Sequence, residues 1–113
     1  MKQVFVVPER GDIVRIALPS RDGQDRPTVR PAVVVSPQAY NARAGLAVLC
    51  PIVSRITGYP FEVPLPPGLP AAGAILADQA LSLDWRTHRA EKIGALPAGA
   101  LEEVLGKLRS LLL

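Results

Sequence analysis

Short apolar runs separated by prolines, glycines and charged residues follow one another along most of this chain of 113 residues. Apolar runs of about four to eight residues that end at turn residues are typical of β-strands. The pattern predicts strands at residues 12–18, 30–36, 46–53, 58–65, 74–84 and 89–96. Pro60 lies inside the fourth of these, so we expect that strand at a sheet edge or at a bulge.

The last segment of the chain has a helical period instead. Residues 97–113 predict an α-helix, because their apolar positions recur every three or four residues and form one stripe, at Leu101, Val104, Leu105 and Leu108. Residues 37–45 predict a short helical turn that ends at Gly45, and residues 19–29 and 66–73 predict loops. The pattern therefore indicates one domain, residues 1–113, mainly β, with a curved sheet and a C-terminal helix.

The charge balance is mildly basic, with a formal net charge of +3 and thirteen Lys and Arg residues, mostly arginines. The planar fork of arginine matches phosphate geometry, which makes an anionic partner worth considering. Cys50 is the only cysteine, which excludes an internal disulfide and a cysteine-rich metal site. No run of about 18 apolar residues and no signal-peptide pattern is present, so we expect a cytoplasmic protein without a membrane span.

Arg30 stands at the start of the most strand-like segment, directly after the charged loop 19–29. Pro31 follows it and favours an extended backbone at Arg30. Two interpretations are open for such a residue. It is either a solvated strand end or an anion-binding arginine at the rim of a small β domain.

Six segments in register resemble one protein family, the MazF/PemK (Kid) toxins of type II toxin–antitoxin systems. They are residues 8–14 (PERGDIV), 30–41 (RPAVVVSPQAYN), 45–52 (GLAVLCPI), 58–65 (GYPFEVPL), 76–86 (LADQALSLDWR) and 101–108 (LEEVLGKL). The resemblance implies a small SH3-like β-barrel of the PemK/MazF/CcdB type, with a C-terminal helix, that forms a homodimer. It also implies a sequence-specific endoribonuclease that cleaves single-stranded RNA without metal or cofactor, and a cognate MazE-like antitoxin whose acidic C-terminal segment covers the RNA groove.

The resemblance assigns catalytic positions residue by residue. Arg30 matches the functional arginine of the family's "RPA" motif, and Asp25 matches the loop carboxylate that precedes it. The family's active-site threonine falls at Val53, which has no hydroxyl, and Ser54 is the adjacent hydroxyl. We expect Arg30 chiefly to stabilise the charge of the transition state, and Asp25 to orient Arg30 or act as base.

The remaining arginines near the expected groove are candidates for phosphate contacts: Arg15, Arg21, Arg26, Arg55 and Arg86. Arg86 follows Trp85, a pair that suits either phosphate contact with base stacking or a dimer interface. His88, as the only histidine, excludes a two-histidine mechanism and is expected at the surface. We expect Asp78 to be a structural turn or interface carboxylate and Cys50 to be a core residue.

Two alternative functions stay open beside the nuclease. The first is a catalytically impaired member of the family that binds RNA and antitoxin, because Val53 lacks the family hydroxyl. The second is a CcdB-like gyrase poison, since those toxins share the implied fold; residues 30–37 (RPAVVVSP) and 58–63 (GYPFEV) favour the nuclease over it.

Overall fold

A computed structural model of the chain describes residues 6–19 and 28–113, and these form seven strands, two α-helices and one 3-10 turn. The strands are β1 (Asp12–Leu18), β2 (Thr28–Val34), β3 (Leu46–Val53), β4 (Glu62–Pro64), β5 (Ala74–Leu76), β6 (Leu81–Asp84) and β7 (Glu91–Ala95). The helices are α1 (Gln38–Ala44) and α2 (Ala98–Leu112), and the 3-10 turn is Ala77–Gln79. This architecture confirms the predicted class, mainly β with a C-terminal helix.

All seven described strands belong to one antiparallel sheet; six follow the order β4-β5-β3-β2-β1-β7, and β6 pairs with β3 outside that order. The long strand β3 is its centre, because one edge pairs with β2 and the other pairs with both β5 and β6. Within the described residues the strand order does not close on itself. The predicted barrel is therefore realised as a curved open sheet.

Each face of this sheet buries its own apolar cluster. One face, which we call the α2 face, carries Ile13, Val33, Cys50 and Ile52, and Val104 of α2 packs into this cluster. The opposite face carries a second cluster of Val14, Ile16, Leu18, Ala32, Val34, Ala47, Leu49 and Trp85, and we call it the Trp85 face. Because successive strand residues point to opposite faces, a residue's position along β1, β2 or β3 decides which face it occupies.

A buried polar network fixes α1 and the neighbouring loops. Asn41, fully buried, donates to the carbonyl oxygens of Pro8 and Ser36 and accepts from the Ser36 hydroxyl. The indole of Trp85 donates to the Asn41 carbonyl oxygen at 2.9 Å. A buried polar network whose members all have hydrogen-bond partners holds one arrangement. This network therefore fixes the position of the Trp85 side chain in the apolar cluster of the Trp85 face.

The predicted strand 74–84 is wrong in its middle, where the chain makes the 3-10 turn Ala77–Gln79. β5 and β6 pair with the same edge of β3, but Ile75 lies opposite Ile52 while Leu81 lies opposite Leu49. One uninterrupted strand would place Leu81 opposite Leu46. The registers differ by three residues, the length of the turn, which takes up the extra chain.

The predicted strand 58–65 is shorter than expected and covers only Glu62–Pro64. Pro60 and Phe61 lie in a turn that precedes it. Proline has no backbone N–H to donate to a ladder, which explains why pairing begins only after it.

Candidate functional site

Arg30 lies near the start of β2, half-buried, with its Cα opposite Ile16 of β1. Its Nη2 donates to the carbonyl oxygen of Pro19 at 2.9 Å. Its Nε is shielded from solvent and has no hydrogen-bond partner among the residues that the structure describes. A guanidinium has five N–H donors, so the bond to Pro19 fixes the side chain and leaves donors for an anion.

Arg30 and Val53 lie on the same face of the sheet. The paired register of β2 and β3 ends at Ala32 and Pro51. Continued by two residues, it places Arg30 opposite Val53. Both side chains lie on the Trp85 face, because Arg30 follows the alternation of Ala32 and Val53 follows that of Leu49. Strand alternation thus assigns to one sheet face the two positions that the family resemblance connects.

A cavity of about 410 Å³ opens beside Val53, and we call it the Val53 cavity. Its lining includes Val53, Arg55, Thr57, Tyr59, Asp78 and Gln79. Val53 is half-buried and belongs to neither apolar cluster. This residue therefore faces a cavity that carries several polar side chains, and not the packed core.

Ser54 directly follows the last residue of β3 and lies exposed in a bend. Because the strand ends at Val53, the alternation of strand side chains does not set the direction of the Ser54 hydroxyl. Gly73 approaches this point closely, since a Cβ added at Gly73 would lie 1.9 Å from the Val53 carbonyl oxygen. Gly73 also has a φ of +118°, in a region that side chains rarely adopt.

We expect Gly73→Ala to displace the backbone of Val53 and Ser54. The added methyl overlaps a carbonyl oxygen and forces an unfavourable φ, so we expect a loss of stability of about 2 kcal/mol or more together with reduced activity. Thermal unfolding and RNA cleavage, measured beside Gly99→Ala on α2, test this. Nothing lies within 4 Å of a Cβ added at Gly99. Equal stability of the two variants would contradict the close approach.

Glu62 holds the segment that carries Arg55 and Tyr59. Its carboxylate, buried at the start of β4, accepts from the backbone N–H groups of Thr57 and Gly58 and from the Thr57 hydroxyl, at 2.8–3.0 Å. Burial alone would raise the pKa of Glu62, but these hydrogen bonds together hold its pKa below the ordinary value. The ionised carboxylate therefore anchors one wall of the Val53 cavity.

Glu62→Gln is expected to destabilise the protein at neutral pH and to matter less in acid. Because the pKa is lower in the folded chain, ionised Glu62 adds stability above the ordinary glutamate pKa, and this contribution disappears as pH falls through the folded value. Thermal midpoints of both proteins between pH 7 and pH 3 should therefore converge. A constant difference across that range would contradict the assignment; Glu102→Gln on the exposed side of α2 is the control.

The structure separates the remaining candidate arginines. Arg55 lines the Val53 cavity. Arg15 is exposed on β1 opposite Pro31, one residue out of phase with Arg30, and so belongs to the opposite sheet face. Arg21, Arg26 and the catalytic candidate Asp25 lie outside the described residues, and their roles stay predictions.

The base-stacking role considered for Trp85 is wrong, because this side chain is 1 % exposed and packs in the core. Arg86 is exposed, with its guanidinium carbon 4.9 Å from the Trp85 ring centroid. The turn that carries it is fixed by Asp84, whose carboxylate accepts from the backbone N–H groups of Thr87 and Arg86. These bonds, the one from Thr87 foremost, lower the pKa of Asp84.

Three other titratable residues, Cys50, Asp78 and His88, are held by burial or by hydrogen bonds within the fold. Cys50 is fully buried, as expected of a core residue, and burial followed by the charge of Asp78 raises its pKa to about 12. Asp78 lies in the 3-10 turn and accepts from the Tyr59 hydroxyl at 2.7 Å. His88 is half-buried, with Nδ1 2.9 Å from the Asp84 carbonyl oxygen.

Neither a metal cluster nor a membrane-spanning helix is found in residues 6–19 and 28–113. No group of three or more His, Cys, Asp or Glu side chains in these ranges could hold a metal ion. No helix there is long and apolar enough to cross a membrane.

Sequence reasoning missed the residues that build the Val53 cavity around the predicted site. Tyr59, Thr57 and Gln79 gave no chemical pattern of their own, and "GYPFEV" counted only as a strand and a family match. The cavity forms where the 3-10 turn meets the segment after β3, a contact between distant parts of the chain. The break at Pro60 was the one local indication that this segment leaves the sheet.

Comparisons with known proteins identify the family of this chain. A model of the PemK-like, MazF-like toxins of type II toxin–antitoxin systems matches residues 9–112. The endoribonuclease toxin MazF of Escherichia coli K12 is 36% identical over 106 residues, which cover 94% of this chain and 95% of that protein.

Solved structures extend the likeness to three dimensions. Crystal structures of MazF (Form-I) and of MazE–MazF (Form-II) from Deinococcus radiodurans each have a TM-score of 0.86 and 48% identity. Both matches cover 96% of this chain, with 98% and 97% of the respective matched chains. They confirm the MazF-type fold predicted from the resemblance. The chain belongs to the PemK-like, MazF-like family of toxins of type II toxin–antitoxin systems, and its activity is that of an endoribonuclease.

Proposed function

We propose that this toxin cleaves single-stranded RNA at specific sequences, without metal or cofactor, by attack of the RNA's own 2′-hydroxyl on the adjacent phosphorus. The observation that supports this most is the position of Arg30, half-buried, with spare donors, on the sheet face that also carries Val53. The proposed attack breaks the bond from phosphorus to the 5′-oxygen. The products are a 2′,3′-cyclic phosphate and a 5′-hydroxyl end.

Arg30 has the main role in this proposal. The phosphate becomes a dianionic, five-coordinate transition state, and a fixed guanidinium stabilises charge that develops beside it. Arginine side chains keep their proton in proteins, so arginine is a poor base. Asp25 is proposed to orient Arg30 or to take the proton of the 2′-hydroxyl.

Val53 and Ser54 are the residues that we expect to set the rate of cleavage. A threonine hydroxyl at position 53 would donate to a non-bridging phosphate oxygen, and valine has the same shape without that donor. Ser54 is the neighbouring hydroxyl and lies where the strand has ended. A weakly active member of the family that chiefly binds RNA and antitoxin is the second candidate, favoured by Val53.

Cleavage of a long single-stranded RNA by the purified protein, with and without EDTA, tests the proposal. Mapping of the 5′ ends should show cuts at a recurring short sequence, with 5′-hydroxyl ends and no effect of EDTA. Random cuts, or cuts that stop when EDTA is added, would contradict it. Binding of RNA without any cleavage would favour the second candidate.

The proposed partners follow from the relatives. The MazE–MazF complexes from Deinococcus radiodurans support a MazE-like antitoxin for this chain, and we propose that its acidic C-terminal segment covers the arginine-lined groove. The RNA substrate also supports action in the cytoplasm.

We expect the protein to be a homodimer. The end of α2 presents Leu111, Leu112 and Leu113, which are 46, 79 and 97% exposed. Contiguous exposed apolar side chains are typical of interaction surfaces. Sedimentation at micromolar concentration should give the mass of two chains, and a monomer under these conditions would contradict this expectation.

A further inference from the structure

Tyr59 is an exposed aromatic residue at the edge of the Val53 cavity. Its side chain is 47% exposed although it lies next to a cavity of about 410 Å³. Ligand cavities have volumes of about 300–1,000 Å³ and combine apolar surface with a few placed polar groups. An aromatic ring that stays open to solvent at such a place has an unused face.

The ring of Tyr59 is held in position from two sides. Its hydroxyl donates to Oδ2 of Asp78 at 2.7 Å, and the ring of Phe61 lies tilted by 54° with its centroid 6.0 Å away. The other carboxylate oxygen of Asp78 is shielded from solvent and has no hydrogen-bond partner in the described part of the chain. The Tyr59 hydroxyl is therefore the hydrogen-bond donor on which this carboxylate depends, which ties the ring to the 3-10 turn.

The phenol keeps its proton at neutral pH. The hydrogen bond to Asp78 is the largest cause that raises the pKa of Tyr59, followed by burial and by the Asp78 charge. A neutral ring does not repel an anionic backbone. Arg55 on the same cavity supplies the positive charge that a phosphate requires.

We propose that Tyr59 is a stacking platform for a nucleobase of the RNA, with the base seated over the Val53 cavity while Arg55 contacts the adjoining phosphate. The inference rests on the proposed function and deepens it. A stacked base beside Val53 would bring the neighbouring phosphate to the Arg30 side of the sheet face. Stacking accepts any base, so Tyr59 contributes affinity and position without selecting sequence.

An exposed tyrosine can also contact a second protein chain instead of RNA. The cavity favours RNA, because its lining offers a guanidinium and an amide, at Arg55 and Gln79, while the Thr57 hydroxyl is bonded to Glu62. Such groups match the edges of a base and a phosphate. If Tyr59 instead contacts the second chain of the dimer, its replacement by alanine will dissociate the dimer, which sedimentation detects.

The test measures binding, apart from cleavage. The probe is a single-stranded 2′-O-methyl RNA decamer of mixed sequence, which has no 2′-hydroxyl nucleophile, and its counterpart is an abasic decamer with the same backbone. Fluorescence anisotropy gives the affinity of the wild type, Tyr59→Ala and Tyr59→Phe for each. Tyr40→Ala is the matched control, because Tyr40 is 42% exposed but lies on α1, outside the cavity.

Tyr59→Ala should weaken binding of the base-bearing decamer about fivefold or more and leave the abasic decamer unchanged, as removal of a base-stacking ring does. Tyr59→Phe keeps the ring and should keep most of the affinity. Arg55→Ala should weaken both probes and reduce the slope of log affinity against log salt by about 0.7, the value for one phosphate contact on a single strand.

The inference is overturned if Tyr59→Ala affects both decamers equally, if it has no more effect than Tyr40→Ala, or if it dissociates the dimer in sedimentation. A wild type that binds RNA but does not cleave it contradicts the proposed cleavage and leaves the stacking result standing. A wild type that cleaves while Tyr59→Ala binds normally contradicts the inference alone. Thermal midpoints show whether each variant is folded.

Discussion

Arg30→Ala is expected to slow RNA cleavage at least about a hundredfold, the scale on which loss of one preorganised transition-state donor acts. The guanidinium is fixed by its bond to the Pro19 carbonyl oxygen, so the protein has already ordered the group before the substrate arrives. No reorganisation is then needed as charge develops on the phosphate. This is the condition under which an electrostatic contribution is largest.

The same substitution should leave the fold nearly unchanged. Arg30 lies on the Trp85 face but is not part of its apolar cluster. Its Nε is a shielded donor without a described partner, which is unfavourable for folding. Its removal takes away that unfavourable group along with one hydrogen bond. We therefore expect the thermal midpoint of Arg30→Ala to remain close to that of the wild type.

Single-turnover cleavage of a mapped RNA site measures this effect. Arg109→Ala is the matched control, because Arg109 is an exposed arginine of α2, on the other side of the sheet. Arg30→Lys keeps the charge but loses the planar fork and should fall between the wild type and Arg30→Ala. Unchanged cleavage by a folded Arg30→Ala dimer would remove Arg30 from the mechanism.

The fold could be predicted from the sequence wherever local pattern decides structure. β1 and β3 were predicted with their observed bounds, and α2 within one residue at each end, because a continuous apolar run or a helical stripe is a local property. The prediction of one strand over 74–84 was wrong, because the 3-10 turn that interrupts it depends on the two different registers of β5 and β6 against β3. Those registers are set by residues far away in the chain.

The candidate site, like the fold, could be predicted from the sequence only where local motifs decide it. Arg30 and Val53 could be located from motifs in the chain, and the β2–β3 register accounts for why they belong together. Trp85 could not be judged from its neighbours Asp84 and Arg86, because its burial depends on the network around Asn41. A role for Tyr59 could not be predicted from the sequence, because the cavity beside it exists only after the chain has folded.

Val53→Thr is expected to raise cleavage about tenfold or more, in keeping with the worth of one hydrogen-bond donor to a developing phosphate charge. Val53 is half-buried and lines the cavity, so a hydroxyl there would meet water before the RNA binds. A buried, unpaired hydroxyl would instead cost about 1–3 kcal/mol. The location of Val53 on the cavity therefore predicts a gain in rate with little loss of stability.

Cleavage rate and thermal midpoint, measured on the same preparation, separate the two effects. Val48→Thr is the matched control, because Val48 lies on β3 but its side chain packs against the cluster of the α2 face. That variant should lose stability without any change in rate per folded molecule, since its hydroxyl cannot reach a phosphate on the opposite face. If Val53→Thr behaves like Val48→Thr, with lower stability and no faster cleavage, then the reacting phosphate does not lie beside Val53. The active site would then have to be sought away from this end of β3, with Arg30 acting on a phosphate held elsewhere.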